Sequence, residues 1–494
     1  MAVPPVPRQT APSRRPARPG PDPARRKVPR IGWLGAFVLS QTMLMAALFI
    51  PNIASARAFL RIGGYLMGLV FWALIVYRGK PEQPGPVFPP RAWLTVCAAW
   101  LLLMIVHPNT YSLITGVAQT VMYIAIFSPA FWTSKVVSSS KQLPGVIAVM
   151  FACNAISVLL GIGQVYRPET FNPPVIPAMS NQFKGEDVMY DTDDGRRIMR
   201  PCGLSDTPGS AAPAGTVVAL FGLCFALQPI AIWKRAGALG LAFLGVACIY
   251  YSHVRMTLIM LMFSMIALAI LLTMQRNYRQ ASLLITGGVG LIVGAMLWAI
   301  SNVGIRVLDR FMMVIRQGPV GYTYQSRGAL AQEGLTSVLY YPLGYGLGWW
   351  GMIYSTFGNP ARTTKLWVEV MVQAWTYDGG LPLLIGYGGA VVVAILSSVK
   401  IALKCRDREV AYWAAVVFAS NLSVAMSCFS YVTFLSPIGM NFWLLSAVVY
   451  AADRRYRISE ARPAAGPGGP GPGPGPRPQP RPQVRPRPRS PGPY

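Results

Sequence analysis

Apolar runs of roughly the 17 to 25 residues that cross a bilayer recur along the chain with short polar junctions between them. They fall near 31–51, 58–77, 92–106, 112–132, 143–165, 212–232, 236–251, 256–274, 281–301, 380–399, 411–430 and 437–452. Each reads as a helix. The pattern predicts an all-α polytopic membrane protein with about twelve transmembrane helices, the 236–274 region being the place where the count is open by one.

The junction charges orient these helices, because cytoplasmic loops collect Lys and Arg. Even-numbered junctions carry Arg78, Lys80 and Arg91; Lys135 and Lys141; Lys234 and Arg235; Arg276 and Arg279; and Lys400, Lys404, Arg406 and Arg408. They share one side if the N-terminus is cytoplasmic. Both tails join them there, with Arg8, Arg14, Arg15, Arg18, Arg25, Arg26, Lys27 and Arg30 ahead of the first run and Arg454, Arg455 and Arg457 after the last. Two long loops, about 166–211 and 302–379, and the short Ser252–Arg255 turn then face outward. Loops this long in a compact protein are usually functional or disordered, so the chemistry is expected on the extracytoplasmic face.

Composition agrees, with 53% apolar and 12% charged residues where soluble domains carry about a quarter charged. The formal charge of +27 invites a nucleic-acid reading, but much of it sits in tails and inner loops, where anionic lipid headgroups attract it. No nucleic-acid partner is expected. Residues 1–30 and 453–494 read as Pro/Arg-rich and Pro/Gly/Arg-rich cytoplasmic tails suited to extended polyproline II segments, flanking a membrane domain over 31–452. The first run is full length without an obvious cleavage site, so it is expected to act as its own insertion signal. Of seven cysteines, only Cys202 lies in an outer loop, where it has no partner for a disulfide.

The most informative motif is Tyr251-Ser-His-Val-Arg-Met-Thr-Leu258, which puts His253 and Arg255 between two long apolar runs. A guanidinium at such a place costs a few kcal/mol and usually faces a protein interior or a wet cavity, against something anionic. The first outer loop holds seven acids. Its Asp191-Thr-Asp-Asp-Gly195 stretch resembles a cation loop but lacks the spacing and closing glutamate of one, so no metal is expected. Arg200-Pro-Cys-Gly-Leu-Ser-Asp-Thr-Pro-Gly-Ser-Ala-Ala212 forces a compact turn into the sixth run, with Asp206 or Ser210 placed to cap that helix.

The second outer loop carries Arg306, Asp309, Arg310, Arg316 and Arg327, then an amphipathic run from Arg327 to Leu339. Tyr341-Pro-Leu-Gly-Tyr-Gly-Leu-Gly-Trp-Trp350 follows, whose Gly344, Gly346 and Gly348 would let backbone approach a ligand. From Lys365 an apolar helix is expected to run to Gly379 and Gly380, which would close it. Lys365, Glu369 and Gln373 would then form one polar stripe. Several outer arginines, one carboxylate and no metal cluster suit a lipid-linked diphosphate, whose oxygens take arginine forks bidentately and whose leaving charge a fixed cation stabilises.

The Ser252–Leu258 turn opening a span, the Arg200–Ala212 turn entering one, and Ser326-Arg327-Gly followed by Tyr341-Pro-Leu-Gly-Tyr-Gly-Leu-Gly resemble the O-antigen ligase and Wzy-type polysaccharide polymerase superfamily. The resemblance covers about 30–452. It implies metal-independent glycosyl transfer, without a cofactor, from an undecaprenyl-diphosphate-linked oligosaccharide to an acceptor glycan, in the bacterial cytoplasmic membrane. Arg255 matches the arginine of the family's span-opening motif and Arg327 the one before the Pro-Leu-Gly turn, so both would hold diphosphate. Ligases of this family typically carry a His-Asn pair where this chain reads Thr363-Thr-Lys-Leu-Trp-Val-Glu369. That departure favours a polymerase of exopolysaccharide or O-antigen-like repeats, with a chain-length regulator or other polysaccharide-assembly proteins as partners.

The expected site has Arg255, Arg327 and Glu369 as catalytic groups, Glu369 taking the acceptor's proton. Arg200, Arg310, His253, Lys365 and Trp350 are expected to bind substrate, Trp350 by stacking on a sugar with Trp349, Tyr345 and Trp367. A ligase acting on a lipid or protein acceptor is the nearest alternative. A transporter or flippase of lipid-linked sugars is the second, although no inverted repeat, the usual trace of that class, is visible. Another lipid-carrier glycosyltransferase of the peptidoglycan-polymerase kind fits the motif order less well, and a metal-dependent dolichol-type enzyme is opposed by the lack of acids at 52–57.

Overall fold

The computed structural model describes residues 32–50, 56–79, 85–173, 189–191, 195, 197–305, 312, 327–358 and 366–461. About 79% is helical. The helices are α1 Trp33–Ala46, α2 Arg57–Tyr77, α3 Pro90–Met104, α4 Leu113–Phe127, α5 Pro129–Val136, α6 Gln142–Tyr166, α7 Pro168–Phe171, α8 Ala211–Ala226, α9 Ile232–Tyr251 and α10 Arg255–Met274. Then come α11 Tyr278–Val303, α12 Ala329–Tyr340, α13 Gly351–Phe357, α14 Met371–Lys404, α15 Arg408–Met426 and α16 Pro437–Ala461. Among the described residues the only sheet is an antiparallel hairpin of β1 Met189–Asp191 and β2 Arg197–Met199, with Tyr190 opposite Ile198.

Every expected apolar stretch contains a helix, and this is an all-α, multi-pass membrane protein. Among the described residues eight helical segments are long and apolar enough to cross a membrane: Phe59–Tyr77, Leu113–Val136, Gln142–Tyr166, Ile232–Tyr251, Arg255–Met274, Tyr278–Val303, Met371–Lys404 and Arg408–Phe429. Trp33–Phe49, Pro90–Met104 and Ala211–Ala226 are shorter. The last helix runs past the expected boundary at 452 to Ala461 and carries Asp453, Arg454 and Arg457 on that extension.

Local chemistry sets several ends. Pro90, Pro129 and Pro437 each open a helix, where a missing N–H costs nothing. Ser112 and Thr115 cap α4 reciprocally. Gly304 ends α11 at φ 95°, a conformation glycine adopts without strain.

Small residues bring α8 and α9 into close contact, as in membrane helix pairs generally. A β-carbon on Gly215 would lie 2.5 Å from Gly245 O, and one on Gly222 would lie 2.7 Å from Ala238 O. This contact sets the N-terminus of α8 beside the C-terminus of α9, so the loop 200–210 meets the turn 252–254. At the opposite end of the bundle the basic junctions are bonded together. Arg91 donates to Ala130 O and Ser134 Oγ, Arg455 to Val137 O, and Gln275 Nε2 to Ala402 O and Ala411 O.

The segment expected to be helical from Lys365 is corrected here. Lys365 lies outside the described residues, 366–369 is non-helical, and α14 starts only at Met371. Glu369 and Gln373 therefore share no stripe; Glu369 precedes the helix and Gln373 is buried. Nor do Gly379 and Gly380 end it. Gly380 (φ 63°, ψ −152°) breaks α14, which resumes through Pro382.

The glycines of 344–348 let this turn pack closely on other segments, Gly344 on the break itself. Gly344 packs on Gly379 and Gly380, Gly346 on Asn109, and Gly348 on Thr115, all three at positive φ. Tyr345 N and Gly346 N donate to Tyr377 O, and Leu381 N to Pro342 O. A β-carbon on Gly380 would collide with Pro342 O and lie 2.5 Å from Gly344 N, in backbone that only glycine occupies freely. Gly380→Ala is expected to destabilise the protein by about 1–3 kcal/mol from backbone strain alone, read as a lowered melting temperature in detergent; an unchanged melt would mean that the loop is not seated on the break.

Candidate functional site

The loop 200–210 is anchored from below by Gln164 of α6. Its Oε1 accepts from Cys202 N at 2.8 Å and Gly203 N at 2.9 Å, and its Nε2 donates to Gly203 O at 3.0 Å. Ser210 Oγ donates to Cys202 O rather than capping α8, and Asp206 turns elsewhere, so neither residue is the cap expected of it. Gly209 at φ +80° lets the loop lie against the 252–254 turn: a β-carbon there would sit 3.4 Å from Val254 Cγ2 and 3.9 Å from Arg200 Cδ.

That turn is held by Ser252 Oγ bonding Cys248 O at 2.7 Å and by the 3.2 Å contact of the Tyr166 and Tyr251 hydroxyls. His253 takes φ 53°, so the chain leaves α9 and starts α10 within three residues, and the Arg255 charge reaches His253 despite their spacing. The hairpin covers it, the Tyr190 and His253 rings lying 4.0 Å apart between centroids.

Arg200, His253 and Arg255 are thus brought together from two loops. Arg255 is the first residue of α10, whose first turn has no acid and no side-chain cap. A cation at the positive end of a helix opposes the stabilising arrangement, and together they make a strong anion site. Arg200 Nε and Nη2, both ring nitrogens of His253 and the Tyr190 hydroxyl are buried and have no hydrogen-bond partner among the described residues. Such groups cost about 1–3 kcal/mol each when unsatisfied. A bound polyanion would satisfy several at once.

His253 is held to a pKa of about 4 by burial first and then by the Arg255 charge, so it stays neutral at physiological pH. The unfolded chain binds this proton already near pH 6.5. Stability from this group is therefore full above about pH 6.5, falls as pH drops toward about 4, and is level below, a span of roughly 3 kcal/mol at most. His253→Gln should remove that part of the acid sensitivity from melting curves; an unchanged pH profile would show that His253 is not buried as a neutral ring.

A second cluster adjoins the first through the same loop. Asp206 is 1% exposed, and its two oxygens take Arg57 and Arg61 from the start of α2, with Arg61 Nε at 3.0 Å and Arg61 Nη2 also on Thr207 Oγ1 at 3.1 Å. Tyr431 lies within electrostatic reach of both Arg61 and Arg327. Arg327 Nε pairs with Glu369 Oε2 at 3.3 Å, and Trp367 Nε1 donates to Glu369 Oε1 at 2.9 Å. Beside the turn of α2 that follows Arg61 lies an apolar crease of about 440 Å³ between α2, α4 and α13, lined by Ile62, Tyr65, Leu66, Ile114 and Phe357 among others.

Of the expected site residues, Arg200, His253 and Arg255 come together, Arg327 and Glu369 form a pair, and Arg310 and Lys365 lie outside the described residues, as do Arg306 and Arg316. Trp350 is corrected: it is buried, and its Nε1 donates to Asp378 Oδ1 at 2.8 Å, so it packs the core and is not open to a sugar. Asp378, fully buried and also bonded by Tyr123 and Gln119, went unread in the sequence, as did Arg57 and Arg61. The two arginines had a signal, being cations four residues apart at a junction that the charge pattern would place opposite the strongly basic ones. His107 makes a local backbone contact with Asn109 N. Asp193 and Asp194 of the acidic loop lie outside the described residues, and all seven cysteines are free thiols. No family model matches the chain, and no curated protein sequence matches it either.

Proposed function

We propose that this protein transfers glycan from a polyprenyl-diphosphate carrier to an acceptor sugar on the extracytoplasmic face of a bacterial cytoplasmic membrane, polymerising exopolysaccharide or O-antigen-like repeats. The observation that carries the reading is the Arg200–His253–Arg255 cluster at the N-terminus of α10, where Arg200 Nε and Nη2 and the His253 ring are buried without a hydrogen-bond partner among the described residues. On this reading twelve helices cross with both termini cytoplasmic, which would put this end of the bundle outside and the bonded basic junctions inside.

In this scheme the polyprenyl chain lies in the α2/α4 crease and its diphosphate between Arg200 and Arg255. The acceptor oxygen attacks the anomeric carbon, and the bond from that carbon to the diphosphate oxygen breaks, its electron pair leaving with the diphosphate. The hydroxyl proton passes to Glu369. Arg327, already paired with Glu369, orients that carboxylate rather than holding diphosphate. Fixed cations act here as they do wherever charge builds on a leaving group.

The test is product analysis with the purified protein in lipid, given undecaprenyl-diphosphate oligosaccharide as both donor and acceptor. A ladder of longer lipid-linked glycans is expected. Transfer only to an added lipid or protein acceptor would replace polymerase by ligase. Movement of intact lipid with no covalent change would replace transfer by transport.

A further inference from the structure

A cleft of about 510 Å³ opens between α12, the 341–345 turn and the start of α14, within the roughly 300–1,000 Å³ usual for small-ligand sites. Four tyrosines line it, Tyr340, Tyr341, Tyr345 and Tyr377, with Glu333 and Thr336 among the polar groups between them. Its walls are locked together. Glu333 Oε1 accepts from the Tyr377 hydroxyl at 2.9 Å, Tyr345 N donates to Tyr377 O at 2.7 Å, and Gly334 seats α12 so closely that a β-carbon would lie 2.7 Å from Gln373 Cα.

Among the described residues the lining carries one acid, Glu333, and no cation, unlike the arginine clusters, so it suits an uncharged ligand better than phosphate. Its tyrosines present rigid faces with polar edges, which give large contact area at low entropic cost. Such faces match a pyranose, which has an apolar ring face and a rim of hydroxyls. The aromatic surface continues past the cleft through edge-to-face contacts, Tyr341 to Tyr345 at 5.2 Å, Tyr345 to Trp349 at 5.6 Å and Trp349 to Tyr111 at 5.0 Å between centroids, a stretch longer than one sugar. The cleft also adjoins the Arg327–Glu369 pair, since α12 starts just after Arg327 and Leu366 of the wall leads to Glu369.

We propose that this tyrosine cleft is a binding site for an uncharged oligosaccharide, and, resting on the transfer reading above, that it holds the acceptor glycan with its terminal hydroxyl toward Glu369. The probe is the lipid-free oligosaccharide released by mild acid from the lipid carrier of the cells that make this protein. Its binding to the protein in nanodiscs is followed by saturation-transfer NMR. The Tyr340→Ala/Tyr341→Ala variant should bind about tenfold more weakly, the loss of roughly one stacking contact, while Tyr340→Phe/Tyr341→Phe, which keeps the rings, binds nearly as the parent does.

Equal binding by the alanine variant, or none by the parent, overturns the proposal, and an unfolded alanine variant leaves the phenylalanine pair to decide, since binding lost there means that the rings are not the ligand surface. Arg255→Ala should bind the free glycan normally. Glycan binding by a protein that gives no transfer product would sink the transfer reading and leave the cleft standing.

Discussion

Arg255→Ala is expected to lower glycosyl turnover by roughly 10²- to 10³-fold, the usual effect of removing one preorganised donor from a developing negative charge. The argument rests on place. Arg255 opens α10, its charge reaching His253 and the 200–210 loop meeting the turn before it, where the helix terminus already favours an anion. On the proposed transfer reaction, where the leaving diphosphate gains charge, the lost interaction would belong mainly to the transition state, so the fall should appear in kcat rather than KM. Arg255→Lys should recover only part of the rate, because an ammonium keeps the charge and loses the bidentate fork. The measurement is the rate of ladder formation on protein whose melting temperature matches the parent. An alanine variant that is folded and fully active would remove the central step of the mechanism.

How much of this was legible depends on range. Apolar length marks the helical stretches, because a membrane helix satisfies its own backbone and needs only a run of suitable residues. The junction of His253 and Arg255 is legible for a similar reason: charges between two apolar runs are costly wherever the chain goes. What the sequence hides is pairing between distant segments. Nothing local says that Asp206 abandons the helix next to it for Arg57 and Arg61, nearly one hundred and fifty positions away.

Trp350 reads as a sugar-stacking ring until Asp378 turns up bonded to its Nε1. Gly379 and Gly380 read as a helix end because glycine usually marks one, whereas here Gly380 provides the one backbone conformation that lets a long helix break and continue around the 341–348 turn. The Lys365–Glu369–Gln373 stripe fails for the same reason, since periodicity cannot show where a helix starts when its first turn is replaced by an extended lead.

Asp206→Ala is expected to be the most destabilising single substitution at this end of the molecule, at about 3 kcal/mol. Removing one partner of a buried ion pair typically costs about 3–5 kcal/mol, because the charge left behind has lost its compensation. Here two guanidiniums are left, but their side chains are 18% and 28% exposed, so water recovers part of the loss and the lower figure applies. The cost has a structural reading too. Only 22% of the α2 segment Phe59–Tyr77 is buried within the protein, so the bonds to Asp206 are a main tie between the start of α2 and the loop that carries Arg200. Without them the loop loses that anchor while Gln164 still holds Cys202 and Gly203. The variant should therefore melt lower in detergent, and any surviving protein should turn over more slowly. Arg61→Ala in the Asp206→Ala background should cost much less than in the parent, a coupling of about 0.5–3 kcal/mol being usual for residues in one network. Strict additivity of the two substitutions would show that the pair does not tie α2 to the loop.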